Sequence, residues 1–164
     1  MTPTPASDSL RADHRRIETH LDRLLEVLLN LSHGCVGEVR QHFEEIRRLS
    51  APHFAQEEGV FYPRLRSLEP GILAHMDQQH EHTRLTERYL DELLSSFPDP
   101  PAERDMIELH RLGIEFHDAV QTHIVDEEDQ LLQWADRELS NEEQEQLLQR
   151  MRDVVAATSS PAPR

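Results

Sequence analysis

The chain has 164 residues, enough for one hydrophobic core, and its 37% hydrophobic and 30% charged residues match a soluble globular domain. A net charge of −15, with arginine supplying all 17 basic residues, argues against nucleic acid and anionic membrane surfaces, whose phosphates need clustered cations. No apolar run approaches the roughly 18 residues of a membrane span, and a single cysteine, Cys35, excludes an internal disulfide.

Five glycines, no strand-like alternation and an abundance of Leu, Glu, Arg and Gln point to helices throughout. The first helix is expected from about Asp8 or Ser9 to Leu31, with Leu10, His14, Ile17, Leu21, Leu24, Leu28 and Leu31 spaced three and four apart along one face. Ser32-His33-Gly34 ends it. A second helix follows from about Val36 to Leu68, its inner face carrying Val39, Phe43, Ile46, Ser50, His53, Glu57 and Val60. Pro52 should bend this helix just before His53 without dividing it, and Pro63 falls one turn before its end. Glu69-Pro70-Gly71 breaks the chain. The third helix is expected from about Ile72 to Ser95, aligning Leu73, Met76, His80, Thr83, Glu87, Leu90 and Leu94. After the connector Phe97-Pro98-Asp99-Pro100-Pro101, a fourth helix from about Ala102 to Leu139 aligns Met106, Leu109, Gly113, Phe116, Val120, His123, Glu127, Leu131 and Trp134. Ser140 and Glu143 form a capping box that opens a shorter fifth helix, about Asn141 to Ala156. Short connections make neighbouring helices antiparallel, so the expected fold is an all-α, up-down-up-down four-helix bundle with a short C-terminal fifth helix. Residues 1–157 form one domain in this reading and 158–164 a disordered tail. The N-terminal segment MTPTPASDSLRADH has no apolar stretch of the kind a secretory leader carries, so a cytoplasmic location is expected.

Eleven histidines outnumber every aromatic residue type. One falls on the inner face of each long helix: His14, His53, His80 and His123. Glu57 and Glu127 follow two of them by one turn. Carboxylates and imidazoles buried without partners cost several kcal/mol each, against about 5–15 kcal/mol of net stability for a small domain. A metal centre satisfies all six at once, because imidazole nitrogen and carboxylate oxygen are natural ligands. Residues four apart share a helix face, so His53 with Glu57, and His123 with Glu127, reach one centre. Both pairs sit in the string His-x-x-x-Glu-Glu, HFAQEE and HIVDEE. The lone histidines precede them, so the chain resembles two hairpins with matching ligand sets around a two-metal site. The spacing alone is weak evidence: with 32 acidic residues, roughly two of eleven histidines should have an acid four positions on by chance. Three do, because Glu18 follows His14. The weight comes from the common face, one histidine per helix and two matching halves. His20, His33, His42, His75 and His110 fall off that face and are expected in solvent; His82 and His117 lie on its flanks. Glu58 and Glu128 are expected in solvent or just outside the ligands.

The stretches DHRRIETHLDRLL, HFAQEEGVFYPRL, HEHTRL and HIVDEEDQLLQW resemble the hemerythrin-like family of two-iron proteins over about residues 8–138. The resemblance implies two irons near the middle of the bundle, Glu57 and Glu127 bridging them, and His14, His53, His80 and His123 as terminal ligands. Oxygen-carrying members place two histidines four apart on the third helix and end on His-x-x-x-x-Asp. Here Met76 and Arg84 flank His80, and Glu128 stands five residues after His123. This is closer to the four-His, two-Glu members, several of which are linked to iron sensing, responses to nitric oxide or peroxide, and repair of iron centres. A fifth histidine ligand would have to be His82 or His117. The functions to weigh are a non-haem di-iron protein binding or sensing O2, an oxidoreductase or iron-donating repair protein acting with peroxide or nitric oxide, and a metal-free helical interaction module.

Overall fold

The three-four spacing of apolar residues does form long helices, and their apolar stripes turn toward one another. A computed structural model describes residues 5–159. Helix α1 is Pro5–Leu29, and a short 3-10 turn, His33–Cys35, leads into the next helix. Helix α2 runs as α-helix over Val36–Gln56, opens into a π turn at Glu57–Phe61 and closes again as α-helix over Tyr62–Leu65. Helix α3 is Pro70–Ser96, with the proline in the first turn, where its missing N–H costs nothing. Helix α4 repeats the pattern of α2: α-helix over Glu103–Asp126, a π turn at Glu127–Leu132 and α-helix over Gln133–Glu138. Helix α5 is Asn141–Ser159, so it continues past the expected end at Ala156. Of the expected tail, residues 160–164 lie outside the described residues. Among the described residues no helix is long and apolar enough to cross a membrane.

Helix α2 continues through Pro52, as expected. The capping box at α5 is present: Glu143 N donates to Ser140 Oγ at 3.3 Å, and Ser140 N donates to Glu143 Oε2 at 3.0 Å. The two π turns were not anticipated. Each starts at the glutamate of a His-x-x-x-Glu pair, and in each the glutamate N–H bonds the carbonyl of the histidine one turn back. A π turn holds one residue more than an α turn, so it shifts the inner face by one position. That explains the one misplaced stretch of the expected face of α4: Leu132 and Ala135 are buried after Leu131, while Trp134 is only half-buried. Pro63 lacks the N–H that an α turn would use and favours the wider turn in α2. Helix α4 has Gln133 in the corresponding place, so proline is not the shared cause; the shared element is the glutamate.

The core is divided. At one end, Leu21, Leu24, Leu28, Phe43, Phe116 and their neighbours form one apolar cluster, with Phe43 edge-on to Phe116 at 5.2 Å. Gly113 allows α4 to approach α1 here: a Cβ would fall 2.7 Å from Leu28 Cδ2. At the other end, Leu10, Phe61, Leu65, Leu73, Met76 and Leu131 form a second cluster, closed by Leu147 and Met151 of α5. Gln144 of α5 is buried, accepts a bond from Ser7 N at 3.2 Å and donates to Ala135 O at 3.3 Å, tying α5 to α1 and α4. Between the two clusters lies a layer of buried polar side chains.

Candidate metal centre

All six candidate ligands are in that layer, and none is more than 1% exposed. Helix α1 brings His14, α2 brings His53 and Glu57, α3 brings His80, and α4 brings His123 and Glu127. The donor atoms of His14, His53, Glu57 and Glu127 lie within 4.8 Å of one another, and those of Glu57, His80 and His123 form a second such set. Glu57 belongs to both: its Oε1 is 2.8 Å from His53 Nε2 and its Oε2 is 3.1 Å from His80 Nε2. Glu127 belongs to the first set only, with Oε2 at 3.1 Å from His14 Nε2. The expectation that both glutamates bridge thus has direct geometric support for Glu57 alone.

The outer ring nitrogens are held by residues adjacent in sequence to the candidates. His14 Nδ1 is 2.9 Å from Glu128 Oε1, and His80 Nδ1 is 2.7 Å from Glu58 Oε1. His123 Nδ1 is 3.3 Å from Gln79 Oε1, while His53 Nδ1 is 3.7 Å from Asp13 Oδ2, too far for a hydrogen bond. The pattern repeats across the two halves. The second glutamate of each Glu-Glu pair holds the lone histidine, and the residue before each lone histidine faces the paired one. Arg15 binds Glu128 through both guanidinium nitrogens at 3.0 and 2.9 Å, and Arg84 binds Glu58. Ionised carboxylates and an amide oxygen only accept, so Nδ1 of His14, His80 and His123 carries the proton and Nε2 offers its lone pair inward.

That arrangement is unstable unless something sits between the rings. His14 Nε2 and His53 Nε2 are 3.1 Å apart, as are His80 Nε2 and His123 Nε2. Two lone pairs at that distance repel unless a proton or a metal ion lies between them. Imidazole nitrogens that close would suit two ligands of one cation. The four carboxylate oxygens of Glu57 and Glu127 are buried, and none is aligned to make a hydrogen bond. Orphaned oxygens close to inward-facing nitrogens fit a shared cation.

The electrostatics agree. Burial opposes charge on His53, but Glu57 and Asp13 outweigh it and raise its pKa to about 10. His14 and His80 are also raised, against burial, by the carboxylates facing them. Burial drives His123 down to about 3. Burial and the neighbouring Glu57 charge raise Glu127, whereas His53 and His80 hold Glu57 well below its usual value despite burial. Without a cation, His53 therefore holds a proton that a cation would displace, with His14 and His80 shifted the same way.

The family model of the hemerythrin HHE cation binding domain matches residues 6–135. The chain belongs to that family. Comparison with curated proteins and with solved structures found no match. The hemerythrin match ends before α5 begins, so the helix that closes the bundle lies outside it. Within the hemerythrin domain, neither flank histidine joins the six. His82 is exposed, and His117 is buried but bonds Asp118 at 2.9 Å. Glu18 bonds Arg15 and Gln121 instead. His33, His75 and His110 are exposed as expected, but His20 and His42 are half-buried and face each other across α1 and α2, with Nδ1 atoms 3.2 Å apart. One residue at the centre had not been singled out. Tyr62, fully buried, places its hydroxyl 3.3 Å from His80 Nε2. Burial and the Glu127 and Glu57 charges raise its pKa well above the ordinary value, so it remains a protonated donor. The aromatic after the Glu-Glu pair was its only sequence signal, and the π turn is what brings it inward.

Proposed function

We propose that this hemerythrin-domain protein is a cytoplasmic non-haem di-iron protein that binds or senses O2 or a similar small diatomic ligand. The observation that carries the reading is the pair of donor sets sharing Glu57, each with two imidazole Nε2 atoms 3.1 Å apart. His14, His53 and Glu127 would hold one ion, His80 and His123 the other, with Glu57 between them. When bound, two iron ions supply Lewis acidity and one-electron redox chemistry to a small ligand. The chain's own residues set the conditions. Glu128, Glu58 and Gln79 fix the ring tautomers that turn Nε2 inward. Tyr62 keeps a proton donor beside His80. The apolar clusters on both sides exclude bulk water. With four imidazoles rather than five, a bound pair of ions would keep more than one position open to an incoming ligand. The absence of a fifth histidine from the six-residue group also favours a second reading, an oxidoreductase or iron-donating repair protein acting with peroxide or nitric oxide.

The test is elemental analysis of protein purified without added metal, with optical spectra in air and after reduction. About two irons per chain and a reversible oxygen-dependent band are expected. Rapid peroxide turnover would favour the second reading. A metal-free chain that takes up no iron would overturn both and leave the interaction module, and a zinc-only chain would overturn all three.

A further inference from the structure

Three residues beyond each candidate histidine, on the side away from the two glutamates, lies a layer of four side chains: Ile17, Ser50, Thr83 and Val120. The helices alternate in direction, so +3 on α1 and α3 and −3 on α2 and α4 reach the same level, about 4.5 Å from the imidazoles. All four are buried. The two halves match in ligands but not here. Helices α1 and α4 contribute aliphatic side chains that belong to the apolar cluster. Helices α2 and α3 contribute hydroxyls, and neither Ser50 Oγ nor Thr83 Oγ1 has a hydrogen-bond partner. Ser50 is 4% exposed and Thr83 1%. A helical Ser or Thr ordinarily returns its hydroxyl to a carbonyl one turn back, as Thr86 does to Thr83 O at 2.9 Å. Ser50 and Thr83 do not. An orphaned buried hydroxyl is costly, and two of them one turn from four imidazoles need a partner that is not protein.

The surroundings indicate where that partner enters. Ser50 also lines a groove of about 590 Å³ between α2 and α3, together with Phe54, Glu58 and Arg84. Phe54 stacks on His80 at 4.0 Å, and Glu58 bonds the same ring. The groove therefore adjoins the centre on the α2–α3 side, where Ser50 lines it.

We infer that Ser50 and Thr83 form the hydrogen-bonding pole of the pocket for the exogenous ligand, which makes it selective for small ligands that accept hydrogen bonds, while Ile17 and Val120 form an apolar opposite wall. The inference rests on the two-iron reading above. Each hydroxyl donates to the ligand, and no bond is made or broken in the protein. Azide is a suitable probe, being small, anionic and an acceptor at both ends.

Iron-loaded protein is titrated with azide and followed optically, with iron content and Tm measured on every preparation. Ser50→Ala combined with Thr83→Val should weaken azide binding at least tenfold at full iron content. Thr83→Ser alone should stay within twofold of the parent, because it keeps the hydroxyl. The metal-free Tm of the double variant should equal or exceed that of the parent, since two orphaned groups are removed. Azide affinity unchanged within twofold at full iron content would overturn the inference alone. A fall in metal-free Tm would show that the hydroxyls have protein partners and overturn it as well. A parent chain that takes up no iron overturns this inference and the two-iron reading together.

Discussion

Glu57→Gln tests the centre most directly, because this side chain alone reaches both donor sets. The substitution keeps the volume and replaces one oxygen by a nitrogen that only donates, facing His53 Nε2 at 2.8 Å or His80 Nε2 at 3.1 Å. Ligand binding stabilises a folded chain by about 2.7 kcal/mol at a hundredfold excess over Kd and about 4.1 kcal/mol at a thousandfold excess. In a domain of this size each kcal/mol moves Tm by about 2–4 °C. Metal at a thousandfold excess over Kd should therefore raise the parent Tm by roughly 8–16 °C per tightly held ion. For Glu57→Gln we expect that increment to vanish and bound metal to fall well below two ions per chain. Glu127→Gln should retain the second set of donors and hence about one ion. Calorimetry with and without metal, together with elemental analysis, measures all three quantities. The reasoning is refuted if Glu57→Gln keeps the full metal complement and the full metal-dependent Tm increment.

Glu58→Gln and Glu128→Gln, which hold the outer nitrogens of His80 and His14, should each weaken metal binding about 10–100-fold while leaving the helical circular dichroism unchanged; an unchanged affinity would mean the rings need no such support. The metal-free chain should lose stability as pH rises through about 10, because the raised His53 proton contributes fully below its ordinary 6.5 and is lost above its folded value. Metal-loaded protein should not share that alkaline loss, and metal uptake at pH 7 should release protons, measurable with an indicator dye in weak buffer. Below about pH 6 protonation of the imidazoles should expel the metal, so full retention at pH 4.5 would contradict histidine ligation. Glu128, held near 2 by His14 and Arg15, keeps its full contribution above its unfolded value of 4.5 and loses it as pH falls from there through about 2, so it does not lead the loss that begins near pH 6. Gly113→Ala should lower Tm by up to about 10 °C, from about 1–3 kcal/mol of overpacking against Leu28 less about 0.5–1 kcal/mol gained by removing a mid-helix glycine, with metal content unchanged.

The features legible in the sequence were those with a strong period. Apolar residues every three or four positions placed the helices to within a few residues and put His14, His53, His80, His123, Glu57 and Glu127 in the interior. What the period could not carry was any departure from 3.6 residues per turn. The two π turns leave no repeating trace, so Leu132 and Ala135 face inward in place of Trp134, and Tyr62 reached the centre unannounced. Side chains just off the inner face were ambiguous for a related reason. Glu58 and Glu128 are long enough to reach back to a neighbouring helix. His20 and His42 meet only because α1 and α2 bring two separate off-face positions together. Pairings between distant segments depend on how the helices are rotated about their axes, which one chain's periodicity does not specify.

The tether between Ser7 and Gln144 puts the beginning of α1 and the beginning of α5 at the same pole of the molecule. A pull on the C-terminal end of α5 would draw Met151 and Leu147 out of the second apolar cluster before the Ser7–Gln144 tether and the Arg64–Glu143 pair bore load. The rungs exposed next are those carrying Glu57 and Glu127. Such a chain would surrender its cargo early in mechanical unravelling, while the opposite pole, around Phe43 and Phe116, was still intact.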